Sequence, residues 1–110
     1  MYEYNARLIR VIDGDTIEAM VDLGFDVWTK QTIRLHGIDT PEVRTRNLNE
    51  KKLGLAAKER LSEIFSISDG KFLLKSRGIG RYGRCLGILY IKEQNINELL
   101  ISEGHAKEYK

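Results

Sequence analysis

The chain contains one cysteine, one proline and two histidines in 110 residues. A lone Cys85 cannot close an internal disulfide, so nothing in the fold depends on an oxidising compartment. Its expected place is the apolar interior, where a free thiol behaves as a small hydrophobe. No apolar stretch approaches the length of a membrane span. The start of the chain, Met1 to Arg7, lacks a basic segment followed by an apolar one. No secretion leader is therefore expected, and the cytoplasm is the default compartment unless a leader has been removed. Repeats, low-complexity runs and linker-like composition are also missing, so residues 1–110 are expected to form one domain. Charge of one sign is missing too. The net charge of +2 excludes a histone-like polyelectrolyte. It leaves room for a local basic patch, which is what phosphate binding requires.

What is present is the composition of a globule, 42% hydrophobic and 31% charged. The first half reads as strands. Arg7 to Ile12 is apolar and β-branched and runs into an Asp13-Gly14 turn signal. Thr16 to Leu23 follows, and Gly24 marks the next turn. Val27 to Leu35 alternates, with Val27, Thr29, Gln31, Ile33 and Leu35 on one face and Trp28, Lys30, Thr32 and Arg34 on the other. Residues 36–49 read as a polar loop. Leu53, Ala56, Ala57, Leu61 and Ile64 then recur at helical spacing. Ser68-Asp69-Gly70 is a turn and Lys71 to Ser76 a fourth strand. A glycine-rich loop spans 77–83, and Arg84 to Ile91 is a fifth strand. Asn97 reads as the N-cap of a closing helix, with Glu98 favouring its N-terminus and Gly104 ending it. Three strands, a helix, two strands and a helix predict a mainly β, α+β architecture. The strand count fits a five-stranded, partly open Greek-key barrel of the oligonucleotide-binding type with two packed α-helices.

Three segments carry candidate chemistry, each with a plainer alternative. Asp13-Gly14-Asp15-Thr16 is a hairpin turn by composition. It is not an EF-hand, because Glu18 and Gly24 occupy the sixth and twelfth positions counted from Asp13. Asp39-Thr40-Pro41-Glu42 resembles a helix capping box. It equally places two carboxylates around a rigid proline after a strand that carries Arg34. Asp15 and Asp39 could supply a hard divalent cation with charged oxygen ligands. Gly78, Gly80 and Gly83 match a dinucleotide fingerprint by letter, but a strand follows where that motif needs a helix. The loop is better read as backbone presenting Arg81, Tyr82 and Arg84. His36, beside the acidic segment, is a candidate general base or a structural strand-end residue. Arg44, Arg46, Lys51 and Lys52 form either a polyanion-guiding cluster or a solvated surface.

Each motif is weak alone, but their order and spacing are specific. Asp13-Gly14-Asp15-Thr16, then Arg34-Leu35-His36-Gly37-Ile38-Asp39-Thr40-Pro41-Glu42, then Arg81-Tyr82-Gly83-Arg84, then Asn97-Glu98 and Gly104-His105-Ala106 resemble the staphylococcal-nuclease, or thermonuclease, family. The resemblance runs from about residue 7 to 107. It implies the same barrel and one Ca²⁺ ion held by Asp15, Asp39 and the main-chain carbonyl of Thr40. It also implies hydrolysis of DNA and RNA phosphodiesters with little sequence preference, leaving 3′-phosphate ends. Arg34 and Arg84 match the family's two arginines, Glu42 the glutamate beside the attacking water, and Tyr82 a nucleotide-contacting tyrosine. Arg81 and Tyr109 join Tyr82 as expected substrate contacts.

The match has departures. Tyr109 is out of strict register, Gly80 stands where an acidic residue is common, and the chain stops before the third helix of longer members. Single strands are the expected preferred substrate, with no membrane partner, and a monomer is favoured over a homodimer. The alternative is a non-catalytic barrel that binds single-stranded nucleic acid. A binder has no need of the full set Asp15, Arg34, Asp39, Thr40, Glu42 and Arg84.

Overall fold

The computed structural model describes residues 2–80 and 83–109. Its elements in chain order are β1 (Tyr2–Asp13), β2 (Thr16–Asp22), β3 (Trp28–Leu35), β4 (Ile38–Asp39), α1 (Leu48–Ile67), β5 (Lys71–Ile79), β6 (Cys85–Ile91), β7 (Gln94–Asn95), α2 (Ile96–Ser102) and β8 (Lys107–Glu108). The long strands pair in the order β3-β2-β1-β5-β6, and β3 then pairs with β6 to close the sheet on itself. The expected five-stranded barrel with two helices is therefore what forms. The closing ladder is parallel and short, matching Ile33 with Cys85, Arg34 with Leu86 and Leu35 with Gly87.

Period-two alternation along the strands decides which side chains fill the barrel. Ile17, Ala19 and Val21 of β2, Ile33 and Leu35 of β3, and Cys85, Leu89 and Ile91 of β6 all point into one continuous core. Burial pushes the Cys85 thiol above its ordinary pKa, and its sulfur lies 3.8 Å from Ser76 Oγ. That is the environment of an inert core thiol. Helix α1 caps the barrel with Leu61, Ile64 and Phe65, and Phe65 meets Phe72 of β5 edge-on at 5.3 Å between ring centroids. Arg60 fastens α1 to the end of α2 by donating from Nε and Nη2 to the two carboxylate oxygens of Glu103, at 2.7 and 2.8 Å. These bonds hold the Glu103 carboxyl below its ordinary pKa.

Several boundaries differ from the sequence expectation. Helix α1 begins at Leu48, inside the expected loop, because Asn47 caps it: its side chain accepts from Glu50 N at 3.1 Å. The Asp39–Glu42 stretch is thus no capping box. Strand β5 runs on to Ile79, three residues past its expected end. The buried face of α1 is Gly54, Ala57, Leu61, Ile64 and Phe65, whereas Leu53 and Ala56 are exposed. Gly54 costs a helix interior about 1 kcal/mol relative to alanine; it faces inward because chain passes there too closely for any side chain. Asn97 is not the N-cap of α2. That role belongs to Asn95, whose side chain accepts from Glu98 N at 3.0 Å. Gly104 lies just beyond the helix with φ +81°, as a terminating glycine should.

The β6–β7 hairpin turns on Lys92 and Glu93, both left-handed with φ of 50° and 67°. Such two-residue turns favour Asn-Gly because side chains there meet the backbone. Replacing Lys92-Glu93 by Asn-Gly is expected to stabilise the protein by about 1 kcal/mol. The check is a rise in the urea midpoint at unchanged m-value.

Candidate active site

The tight turn after β1 does two jobs. It joins the hairpin, pairing Asp13 with Thr16, and it lifts the Asp15 side chain toward the open end of the barrel. In the neighbouring ladder Thr16 pairs with Arg34, and Leu35 N donates to Asp15 O at 2.8 Å. Register alone therefore sets Asp15 beside Arg34. Beyond β3, Gly37 turns the chain with φ +80°, and the two-residue β4 pairs with β8, so Asp39 is opposite Lys107. Residues 40–47 lack regular structure apart from bends.

Asp15 is 8% exposed and has three partners for its carboxylate. Oδ1 accepts from Thr16 Oγ1 at 2.9 Å and Oδ2 from the Thr40 amide at 3.2 Å. Arg34 Nη1 lies 3.3 Å from Oδ2. The same guanidinium places Nη2 3.6 Å from Asp39 Oδ1, and Nη1 also donates to Leu35 O at 3.0 Å. Arg34 is thus a strut between the two aspartates, and part of its donor set is already engaged. A buried carboxylate is tolerable because these partners replace water.

A cavity of about 360 Å³ opens over this cluster, lined by Asp13, Asp15, Thr16, Arg34, Asp39, Thr40, Pro41, Glu42, Val43, Arg44 and Arg84. The structure therefore gathers six sequence-predicted residues at one place: Asp15, Arg34, Asp39, Thr40, Glu42 and Arg84. Arg84 reaches it because the parallel β3–β6 ladder carries the start of β6 alongside Arg34. Tyr109 stands at the edge, its ring centroid 5.9 Å from the Arg34 guanidinium carbon and its amide donating to Gly37 O at 2.9 Å. That contact is a cation–π arrangement. Arg81 and Tyr82 lie outside the described residues. His36 does not line the cavity. Its backbone pairs with Gly87, its carbonyl accepts from Asn97, and it lines a separate space with Tyr109. Of the expected basic cluster, only Arg44 lines the cavity. Gly78 lies near the end of β5, Gly80 and Gly83 in the β5–β6 connection, and the next element is a strand.

Sequence reasoning overlooked two contributors. Asp13 lines the cavity as well as closing the turn. Glu50, in the first turn of α1, accepts from the Glu42 amide and from Thr45 Oγ1, both at 3.4 Å. The Asn47-x-x-Glu50 spacing was a visible capping signal, but where the glutamate side chain goes was not.

Four carboxylates face three guanidiniums among the lining residues. The ligand atoms on offer among the described lining residues are all oxygen, with neither sulfur nor imidazole, and Thr40 Oγ1 is buried without a hydrogen-bond partner among the described residues. Among the described residues no three His, Cys, Asp or Glu side chains converge as metal ligands. A cation here would draw on two carboxylates and main-chain oxygen, completed by water and substrate, a set suited to hard ions such as Ca²⁺ or Mg²⁺.

Comparison with known proteins bears on the whole of this arrangement. The chain matches the family model described as staphylococcal nuclease homologue over residues 32–110. It is similar to the Micrococcal nuclease of Shigella flexneri, at 30% identity over 98% of this chain and 60% of that protein. Endonuclease YncB of Bacillus subtilis strain 168 is 33% identical over 94% of this chain and 47% of its own length. The Thermonuclease of Staphylococcus hyicus is 30% identical over 96% and 59% respectively. The chain therefore spans only about half to three-fifths of these relatives. The family match takes in Arg34, Asp39, Thr40, Glu42 and Arg84, and the pairwise similarities extend over nearly the whole chain. With a closed barrel that carries the acidic segment and both arginines to one cavity, the chain belongs to the staphylococcal nuclease homologue family.

Proposed function

We propose that this chain is a Ca²⁺-dependent nuclease that hydrolyses DNA and RNA phosphodiesters with little sequence preference and leaves 3′-phosphate ends. The observation that carries the proposal is the convergence of Asp15, Arg34, Asp39, Thr40, Glu42 and Arg84 on one cavity. A nucleic-acid binder would need the arginines but not an acidic cluster that repels phosphate. Residues 1–110 act here as one unit, since the cluster draws on both halves of the chain.

A phosphodiester is anionic and repels hydroxide, and its transition state places more negative charge on the oxygens. A Ca²⁺ ion held by Asp15, Asp39 and the Thr40 carbonyl would offset that charge. Glu42 is exposed on the cavity wall and takes the proton of the attacking water. The water oxygen bonds to phosphorus as the bond to the 5′-oxygen breaks, and the leaving oxygen collects a proton from solvent. Arg84 and the remaining donors of Arg34 match phosphate oxygens with a planar fork that cannot lose its charge. Arg81, Tyr82 and Tyr109 hold the flanking nucleotides. Unpaired strands are the preferred substrate, because stacking on aromatic rings requires splayed bases. The barrel acts as a monomer. Among the described residues no helix is long and apolar enough to cross a membrane.

Digestion of plasmid DNA and single-stranded RNA in Ca²⁺, Mg²⁺ or excess chelator tests the proposal. Cleavage is expected with Ca²⁺, with 3′-phosphate ends by end-group analysis, and is expected to vanish in chelator. Undiminished cleavage in chelator would overturn the metal dependence. Binding without cleavage under every condition would make the chain a non-catalytic binder.

A further inference from the structure

Glu42 sits on a segment that no ladder or helix holds in place, yet a general base must stand within hydrogen-bond reach of its water. Something outside the segment has to set its position. Helix α1 is the element pressed against it. A Cβ built on Gly54 would lie 2.7 Å from Pro41 O, 2.8 Å from Glu42 O and 2.9 Å from Glu42 C. These are main-chain atoms, so no side-chain rotation relieves the overlap. Gly54 is helical with negative φ, so the backbone conformation does not ask for glycine there. What asks for it is the close approach of the segment. One turn earlier on α1, Glu50 accepts from the Glu42 amide and Thr45 Oγ1. On the far side of the segment, Thr40 N donates to Asp15.

We infer that Gly54 is a positioning residue for the proposed nuclease reaction: by having no side chain it sets the depth at which the Pro41–Glu42 main chain rests on helix α1, and Glu50 sets its lateral position. The inference rests on the proposed role of Glu42. Alanine at position 54 forces helix and segment apart by several tenths of an ångström, which moves the Glu42 carboxylate off its line to the water. Displacements on this scale are costly, since about 1 Å is worth about a hundredfold in rate.

The experiment compares Gly54→Ala, the exposed-face control Ala56→Gly, and the pair Glu50→Ala and Glu50→Gln. All are assayed in Ca²⁺ on a short oligonucleotide, with ¹H–¹⁵N spectra of each protein. Gly54→Ala is expected to lower kcat about tenfold or more with KM within about twofold, and to shift the amide resonances of Glu42 and its neighbours. Ala56→Gly alters helix propensity without touching the segment, and its kcat stays unchanged. Glu50→Ala lowers kcat in the same sense, and Glu50→Gln, which keeps an acceptor oxygen, restores it. The Glu50 pair decides the matter if Gly54→Ala fails to fold. Wild-type kcat in Gly54→Ala, an equal loss in Ala56→Gly, or no rescue by glutamine would overturn the inference. A wild-type protein that cleaves nothing would instead overturn the proposed function, while the amide shifts would still report whether α1 positions the segment.

Discussion

Replacing Arg84 with lysine is expected to lower kcat by about 10²–10³, nearly as much as replacement with alanine, with little change in KM. Charge on the phosphoryl oxygens grows only as the nucleophile attacks, so a group facing them binds the transition state more tightly than the ground state. Lysine keeps the charge but loses the planar two-pronged geometry. Steady-state kinetics on a short oligonucleotide would show this, with Tyr82→Phe as the contrast, expected to act mainly on KM. If Arg84→Lys kept a near-normal kcat, Arg84 would only position substrate, and the assigned mechanism would fail. Arg34 makes a less clean test. Its guanidinium also ties Asp15 to Asp39 and bonds Leu35 O, so Arg34→Lys disturbs the acidic pair along with any contact to phosphate.

Asn97→Ala is expected to cost about 3–4 kcal/mol of stability, among the larger effects a single substitution produces. Asn97 is 3% exposed, and its amide nitrogen donates to His36 O at 2.9 Å and Gly87 O at 3.1 Å. Its oxygen accepts from Leu89 N at 3.2 Å. Alanine removes all three bonds where the end of β3, strand β6 and helix α2 meet; Gly87 O keeps the His36 amide, while His36 O and Leu89 N lose the Asn97 side chain. Asn97→Asp is nearly isosteric but sets a carboxylate oxygen against two carbonyls, so it should be at least as damaging at neutral pH. Asn95→Ala removes only an exposed cap and is expected to cost about 1 kcal/mol. Urea titrations of the three variants separate the cases. A loss at Asn97→Ala no larger than at Asn95→Ala would show that the buried bonds are replaced by solvent.

The same asparagine shows where sequence reading stops. Asn95 and Asn97 both precede a helical pattern with Glu98 close behind, and nothing local tells a cap from an interior bridge. The difference is made by His36, far away in the chain, whose carbonyl needs a donor. The buried face of α1 is a second case. Leu53 is the more apolar choice at helical spacing, but Gly54 faces inward, because residues 41–42 cross the helix there. A turn signal also conceals a function: Asp13-Gly14-Asp15-Thr16 is a hairpin turn and the mount for Asp15 at the same time, so composition could not choose between the two descriptions. The glycine-rich loop went the other way, since the strand pattern after Gly83 was enough to exclude a dinucleotide site.

The sequence by itself determined the order of the five long strands and two helices, the two faces of β3 and the acids and arginines worth testing. Those features follow from short-range periodicity and from motifs whose members lie a few positions apart. Only the tertiary structure decided that Arg34 braces Asp15 and Asp39, that Arg84 arrives at the same cavity, that His36 stays out of it, and that α1 sets the depth of Glu42. Each depends on ladder register and barrel closure, where β3 meets β6 far along the chain, Ile33 opposite Cys85. Register is fixed by the packing of a whole face, and a shift of one residue would turn every side chain on a strand to the other side. No local stretch of sequence contains that information.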